Sequence, residues 1–447
     1  MRSATAPRPA YTRPMPATIR SEMKRSRAFR GWWIVLVSIA GLSCSTGTMI
    51  VYTFGVFAKP LAVDLKTSRG SIAIAVSLLD VVVGFSAPGA GRLVDRYGAR
   101  GVIVASMVGL SASLVGLAYV QPPLWHLYAL FAFAGLIGIA TTPVTYSRVI
   151  ANWFDRKRGF ALGLANSGVG LGAFVTPSLA QFLIDRGGWR LAYIGLAAAC
   201  LLLAVPVVWI FLRATPEEVG LLPDGIPAAA VRAQGRPVDG ITARDALRTR
   251  VFWQLAFIFF CVAACVTGAS AHLVPLLTDS GVTGRSAAFA ASVFGAALIV
   301  GRIGNGYLVD RFHGPRVAAI LFAGATVGLA MLWSGIAANA ALLAAALLGL
   351  AAGAEGDLMP FLVSRYFGMR SMAEIYGCMF GAFTLGNATG RYLFAAGFDG
   401  SGSYKTALSF AFWALCLAVL TTLGLGRYRG SGLPAATIAV DNKSLHM

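Results

Sequence analysis

Charge is what this sequence has least of. Only 12% of its 447 residues are Asp, Glu, Lys or Arg, about half the share of a soluble globular domain, so composition excludes a water-soluble fold. Cysteine is scarce too. The six residues, Cys44, Cys200, Cys261, Cys265, Cys378 and Cys416, all fall in apolar runs, where Cys behaves as a small buried apolar side chain. They form neither a disulfide framework nor a CxxC metal pair. No GxxxxGK[ST] loop is present to cradle a nucleotide's phosphates, which argues against ATP-driven chemistry. GxSxG and HExxH are missing as well, and His126, His272, His313 and His446 lie far apart. An enzyme would need such a nucleophile–base pair or metal cluster, so none is expected, nor is any cofactor.

What fills the chain instead is apolar. Hydrophobic residues make up 57% of it, and runs of about 20 residues, the length that crosses a hydrocarbon core, recur throughout. Hydropathy and punctuation place twelve spans at 31–53, 71–93, 101–120, 125–150, 159–184, 190–212, 251–277, 286–310, 316–336, 339–366, 373–397 and 404–426. The expected fold class is an all-α membrane protein with twelve transmembrane helices in two six-helix halves. Residues 1–30 read as a disordered cytoplasmic tail, 31–212 as the first bundle, 213–250 as a cytoplasmic linker, 251–426 as the second bundle and 427–447 as a second cytoplasmic tail.

The formal charge of +19 raises the question of a nucleic-acid partner, and its distribution answers it. With the N-terminus inside, about 28 of the 37 Lys and Arg lie in cytoplasmic segments, with seven in external loops and Arg302 and Arg391 within the membrane. This is the positive-inside bias. The basicity therefore reports topology, with both termini cytoplasmic and no nucleic acid implied. The stretch before the first span is rich in Arg, Ser and Pro, as organelle transit peptides are, but a cytoplasmic tail is the plainer account. No cleavable signal peptide is visible. In 242–253 a short amphipathic segment capped by Thr242 is expected at the cytoplasmic surface.

An internal repeat fixes the architecture. GRLVDRYGAR at 91–100 returns as GYLVDRFHGPR at 306–316, which sets Asp95 against Asp310 at an offset of 215. The same offset joins Pro60 to Pro275, Asp64 to Asp279 and Ser71 to Ser286, while Trp153-Phe154 and Tyr366-Phe367 are 213 apart. Two parallel halves follow, with the substrate path expected between them.

These residues carry a family resemblance. The GRLVDRYGAR stretch after span 2, its weaker copy after span 8 and the six-plus-six layout resemble the major facilitator superfamily over essentially the whole chain. In such proteins this stretch acts as a latch at the cytoplasmic surface during alternating access. Gly91 permits close helix approach, and Asp95 caps a helix N-terminus or pairs with Arg96 or Arg100. Asp310 and Arg311 form the second copy, and the insertion of His313 is expected to weaken it.

RGWWIVL, YTFGVFAKPL, NWFDRKRGFALGLANSGVGLG, GWRLAYIGL, GRIGNGYLVDRF and GSYKTAL further resemble the monocarboxylate transporter and oxalate/formate exchanger group. That likeness implies a small organic anion as substrate, coupled to a proton or counter-anion. The setting expected is the cell inner (plasma) membrane, with lipid as solvent and the monomer as functional unit. It also implies that Arg302, four residues before the Gly of GYLVD, binds the substrate carboxylate. At Phe383 oxalate-handling members carry a Lys, and at Leu298 many animal monocarboxylate transporters carry an Asp. A monocarboxylate with an apolar or aromatic tail therefore fits better than a compact dicarboxylate.

The repeat also filters the charges inside the spans, each of which is expensive in hydrocarbon and a functional candidate by default. Those without a counterpart at offset 215 are Asp80, His272, Arg302, Glu355, Asp357 and Arg391. Arg302 lies about 12 Å before Asp310 at helical rise, deep enough to clamp a carboxylate in a bidentate way or to form a structural ion pair with Glu355 or Asp357. Those two acids, spaced by two, point to different faces of span 10. One of them either neutralises Arg302 and takes up a proton when anion binds, or fixes the helix by hydrogen bonding. Asp80 is a third proton-coupling candidate or a polar lock against span 11. His272 is a ligand, a gate or a structural hydrogen bonder. Arg391 snorkels to the external surface or attracts anions there, and Arg148 is expected as an inner-surface charge. Ser45, Thr46, Tyr52, Phe54, Asn166, Phe383 and Asn387 complete the candidate pocket. The leading expectation is a secondary transporter of an organic monocarboxylate. An exporter of a drug-like or amphipathic metabolite stands second, and a carboxylate sensor would need a signalling appendage that the tails and linker are too short to supply.

Overall fold

The structure, a computed structural model, describes residues 30–225, 240–335, 338–426 and 428. Most of the basic N-terminal tail, the middle of the linker and His446 lie outside the described residues. Among the described residues the chain is helical, with one isolated bridge between Gly240 and Gly368 and no strand.

Twelve passes follow in order. α1 comprises Gly31–Ser43, a wide turn at Gly47–Val51 and Phe54–Asp64. α2 is Arg69–Tyr97 and α3 Ala99–Ala118, while α4 joins Trp125–Gly138 to Pro143–Trp153 through a tight turn at Ile139–Thr141. Arg158–Ala199 carries α5 and the start of α6, broken at Gly187 and Gly188, and α6 continues through Cys200–Ala204 to Val205–Phe211. α7 is Arg250–Ala271 with Leu273–Asp279, α8 Gly284–Arg311, α9 Gly314–Ser334, α10 Ala338–Phe367, α11 Met372–Ser401 and α12 Lys405–Leu423. Ten described stretches are long and apolar enough to cross a membrane, one of them the Arg158–Phe211 stretch that holds α5 and α6 together. α11, interrupted by Glu374, Arg391 and Asp399, falls outside that set. Some helices run past the expected spans, as α2 reaches Tyr97 rather than 93, so Asp95 is helical, and others stop short, as α12 ends at Leu423 rather than 426.

Local chemistry sets the ends. The side chains of Ser68, Thr249 and Thr283 accept hydrogen bonds from the backbone N–H groups of Ser71, Phe252 and Ser286, capping α2, α7 and α8, which satisfies donors a helix start leaves orphaned. Gly98, at φ +83°, turns α2 directly into α3, a conformation a Cβ would strain. Thr242 caps the short linker helix Ala243–Leu247, as expected.

α1–α6 and α7–α12 repeat one packing scheme. α2 and α5 of the first half meet α11 and α8 of the second, and α3, α6, α9 and α12 lie at the periphery. The C-termini of α2 and α8 and the N-termini of α5 and α11 gather at the end that carries the linker, here the linker end. There the two halves touch, and towards the opposite, far end the α5–α8 pair parts.

Candidate functional site

Two carboxylates close the linker end. Asp95 accepts from the N–H groups of Glu374 and Ala373 at 3.0 and 3.4 Å, so it caps the first turn of α11. Asp310 accepts from Gly159 and Phe160 at 2.7 and 2.9 Å, capping α5. A carboxylate against a helix N-terminus meets both free donors and the positive end of the macrodipole. The two contacts are related by the repeat, since α11 and α5 present their N-termini to α2 and α8 in the same manner.

The expected partners of Asp95 change here. Asp95 pairs with Arg148 of α4 at 3.1 Å, not with Arg96 or Arg100. Arg96 lies over the Tyr97 ring, and Arg100 lies over the Trp209 ring and donates to the Trp209 carbonyl. Both are close to Asp95 in sequence, but their side chains leave the interface. His313 falls after the helix ends, and Asp310 caps α5 before the insertion is reached. Arg311 stands over the Tyr307 ring on its own helix. Gly91 matches its expectation, because a Cβ there would overlap the Ala373 carbonyl.

The latch also has members the sequence did not reveal. Arg92 forms an ion pair with Glu374 at 2.6 Å. Arg365 of α10 donates to Asp155 at 3.1 Å, and the buried Arg158 donates to Ser364 at 3.1 Å. The linker joins in through Asp224, whose side chain accepts from Asp155 N–H at 3.1 Å. Partners drawn from opposite halves of the chain have no periodic signal; only the charged WFDRKRG and RYFGMR loops hint at them.

The caps predict consequences in both halves. Asp95→Asn and Asp310→Asn each remove the charge from a helix N-terminus, an interaction of about 1 kcal/mol, or about fivefold in the ratio of linker-end-closed to linker-end-open molecules. Labelling of a single introduced cysteine at the linker end by a membrane-impermeant thiol reagent should rise in both variants, and more in Asp95→Asn, which also loses the charge partner of Arg148. A response from Asp95→Asn alone would leave the second copy without a part in the latch.

Deeper in, three helices bring Arg302, Asp357 and Asn166 together. The Arg302 guanidinium donates through Nη1 to the Asn166 carbonyl at 2.7 Å and approaches Asp357 Oδ2 with Nε at 3.6 Å. Asn166 Nδ2 donates to Asp357 Oδ1 at 2.7 Å. Glycine makes this approach feasible: a Cβ at Gly353 would overlap the Leu298 carbonyl, and one at Gly163 would stand 2.8 Å from the Arg302 carbonyl. Asp357 and Glu355 are buried, at 1% and 5% exposure, whereas 16% of the Arg302 side chain is open. The ion pair is incomplete. Arg302 Nε, Asp357 Oδ2 and Glu355 Oε2 have no hydrogen-bond partner among the described residues, although buried polar atoms nearly always have one. An arginine held on one side, with an unsatisfied edge beside two carboxylates, can exchange partners with an incoming anion.

The remaining candidates lie elsewhere. His272 sits at the break in α7, its Nδ1 3.0 Å from the Gly268 carbonyl and its ring near Phe394 and Tyr404. Asn387 accepts from Thr267 at 2.6 Å, tying α11 to α7. Phe383 packs by Phe380. Tyr52 is 52% exposed, and Phe54 is half-buried in the core. Thr46 donates to the Gly138 carbonyl, and Ser45 contacts Thr48, so both fasten α1. None of these shares a hydrogen bond or ion pair with Arg302 among the described residues. Arg391 does not snorkel outward; its Nη2 donates to Asp80 at 2.7 Å, across the two halves. That is the lock between α2 and α11 weighed for Asp80, with Arg391 as its partner.

Two repeated helical halves, latched at one end around a buried arginine–carboxylate cluster, define a polytopic transporter that works between two membrane faces. Comparison with known proteins gives it a family. The Major Facilitator Superfamily matches residues 36–391, and the chain belongs to it; it is thus a multi-pass membrane protein and a transporter rather than an enzyme. Monocarboxylate transporter 11 of Mus musculus is 26% identical over 423 residues, covering 91% of this chain and 88% of its own. The oxalate:formate antiporter of Oxalobacter formigenes is 27% identical over 414 residues, covering 88% and 92%. The crystal structure of the fucose:proton symporter of Escherichia coli superposes with a TM-score of 0.63 at 14% identity, covering 89% of this chain and 99% of that one. It is similar in fold.

Proposed function

We propose that the protein is a secondary transporter of an organic monocarboxylate, working by alternating access with proton symport or anion exchange. The observation that carries this reading is the half-satisfied Arg302. Its guanidinium bridges the halves through Asn166 of α5 while Asp357 of α10 holds it loosely, so a substrate carboxylate that takes the open edge would draw both halves to one ligand. A monocarboxylate transporter and an oxalate:formate antiporter among its relatives point to the same substrate class. Phe383, beside Phe380 in α11, supplies no second cation, which suits one carboxylate with an apolar tail.

Charge bookkeeping supports proton coupling. The cluster holds one guanidinium against two buried carboxylates, Asp357 and Glu355. Adding an anion to that set leaves an excess of negative charge in a poorly solvated site, and a proton is the simplest counter-charge. Asp357 is already engaged by Asn166, so Glu355, with an oxygen lacking a hydrogen-bond partner among the described residues, is the proposed proton carrier. Asp80, closed on Arg391, is not. Under this reading the linker end is cytoplasmic, both termini lie on that side of the cell inner membrane, the bundles span 31–212 and 251–426, and the monomer suffices.

The test is uptake of labelled monocarboxylates with short aliphatic and aromatic tails into proteoliposomes, with and without an inward proton gradient. One anion should accumulate, and the gradient should raise its rate several-fold if coupling is symport. Glu355→Gln is expected to remove that stimulation while leaving anion counterflow intact. If no carboxylate moves, export of an amphipathic metabolite becomes the better reading.

A further inference from the structure

The two seams that join the halves are related by the repeat, yet they are closed to different heights. Along α2 the face made by Asp95, Gly91, Ala87, Gly84 and Asp80 runs antiparallel to the α11 face made by Ala373, Gly377, Gly381, Thr384 and Arg391. A Cβ at Gly91 or Gly377 would overlap the facing backbone, and one at Gly84 would lie 3.5 Å from the Gly381 carbonyl and 3.7 Å from Thr384 Cβ. Contact continues to the Asp80–Arg391 ion pair at 2.7 Å, about 22 Å along the helix from Asp95.

The α5–α8 seam starts in the same way, with Asp310 on Gly159 and Phe160 and a Cβ at Gly163 close to the Arg302 carbonyl. It ends at Arg302 and Asn166. Gly170 and Gly295 carry the same helix faces one to two turns further, and a Cβ at either would meet nothing within 4 Å among the described residues. Gly295 and Thr176 stand at the repeat positions of Asp80 and Arg391, so this seam has no counterpart of the ion pair.

We infer that the α2–α11 seam is the hinge line between the halves, that Asp80–Arg391 is the clasp at its far end, and that the route to Arg302 opens between α5 and α8. Small residues allow the hinge helices to tilt on each other about the clasped end while their linker ends part. The clasp is already closed while the far half of the other seam is open, so bringing the far ends together does not require it to break. Asp95 and Asp310, at the linker end, must release instead. Asp80 and Arg391 are positioning residues that act through the geometry of α2 and α11. The inference rests on alternating access and not on the identity of the cargo.

Spin-label distances in lipid nanodiscs test it without any cargo, so that failure here is distinguishable from failure of the carboxylate assignment. One label pair at Thr67 and Gly400 reads the far end of the hinge seam; another at Arg186 and Arg285 reads the far end of the open seam, each in a cysteine-free background. In the otherwise unaltered protein the 67/400 distribution should be narrow and the 186/285 distribution about twice as wide, as expected of rigid halves turning about one edge. Asp80→Asn should broaden 67/400, and the exchanged pair Asp80→Arg with Arg391→Asp should narrow it again, a rescue that a purely local folding defect would not give. Should Asp80→Asn fail to reach the membrane, Arg391→Lys, which keeps the charge and shortens the reach, replaces it. A 67/400 distribution as wide as 186/285, or one indifferent to loss of the pair, overturns the inference.

Discussion

Lysine in place of Arg302 is expected to lower the apparent affinity for the transported carboxylate about thirtyfold, equivalent to about 2 kcal/mol for one charge-assisted bidentate contact. The charge survives the change, so the long-range field and the pairing with Asp357 survive with it. What is lost is the planar fork. Arg302 uses Nη1 on the Asn166 carbonyl and points Nε towards Asp357, and a guanidinium has donors left for a third partner. An ammonium on a flexible stem cannot hold a backbone carbonyl, a carboxylate side chain and a substrate in one plane. KM from initial uptake rates in proteoliposomes is the measurement, with wild type and variant reconstituted at equal density. Transport by Arg302→Lys as good as wild type would remove Arg302 from the binding site and favour the exporter reading.

Removing the other side of the same pair acts on stability first. Asp357→Ala leaves the Arg302 guanidinium without its counter-charge and Asn166 Nδ2 without its acceptor. Breaking a buried ion pair from one side costs about 3–5 kcal/mol, because the remaining charge is stranded. Arg302 keeps 16% of its side chain open, which places the expected loss near the low end, about 3 kcal/mol. Replacing both partners with apolar residues of similar size, Arg302→Met with Asp357→Leu, should recover most of that loss while carboxylate uptake stays absent. Thermal unfolding in detergent reads the first quantity and uptake the second. If Asp357→Ala is as stable as wild type, the pair contributes nothing to the fold, and Asp357 is free to serve in coupling instead of Glu355.

The two outcomes separate roles that a single mutant confuses. Arg302 belongs to both the fold and the site, and its loose pairing is the link between them. A fully satisfied Arg302 would be a better structural strut and a poorer receptor, since every hydrogen bond to a substrate would first require one to be broken.

How much of this could be read in the chain differs from residue to residue. Asp95 and Asp310 were legible because duplication marks them twice. Arg302, Glu355, Asp357, Asp80 and Arg391 were legible as charges in oily runs with no counterpart in the other half. Asn166 was named among several small polar residues and did join the Arg302 cluster. His272, Asn387, Tyr52, Phe54 and Phe383 were named on the same grounds and did not, since polar residues in spans serve packing as often as binding. Asn387 shows the difficulty: it lies on a helix that faces the opposite half along one stripe, yet its side chain is turned to Thr267 in its own half. Periodicity assigns a face to a residue without saying which neighbour that face meets.

The membrane setting, the passes and their duplication follow from the chain without any knowledge of its packing. These are local or additive properties: hydropathy summed over about 20 residues, a bias of charge between alternate loops and a fixed offset. Which charges are partners is settled by packing. Asp80 with Arg391, Asp95 with Arg148 and the head of α11, and Arg302 with Asp357 and Asn166 are joined across helices far apart in the chain. The strength of such a contact depends on separations of a few ångströms, which arise only once twelve helices have packed.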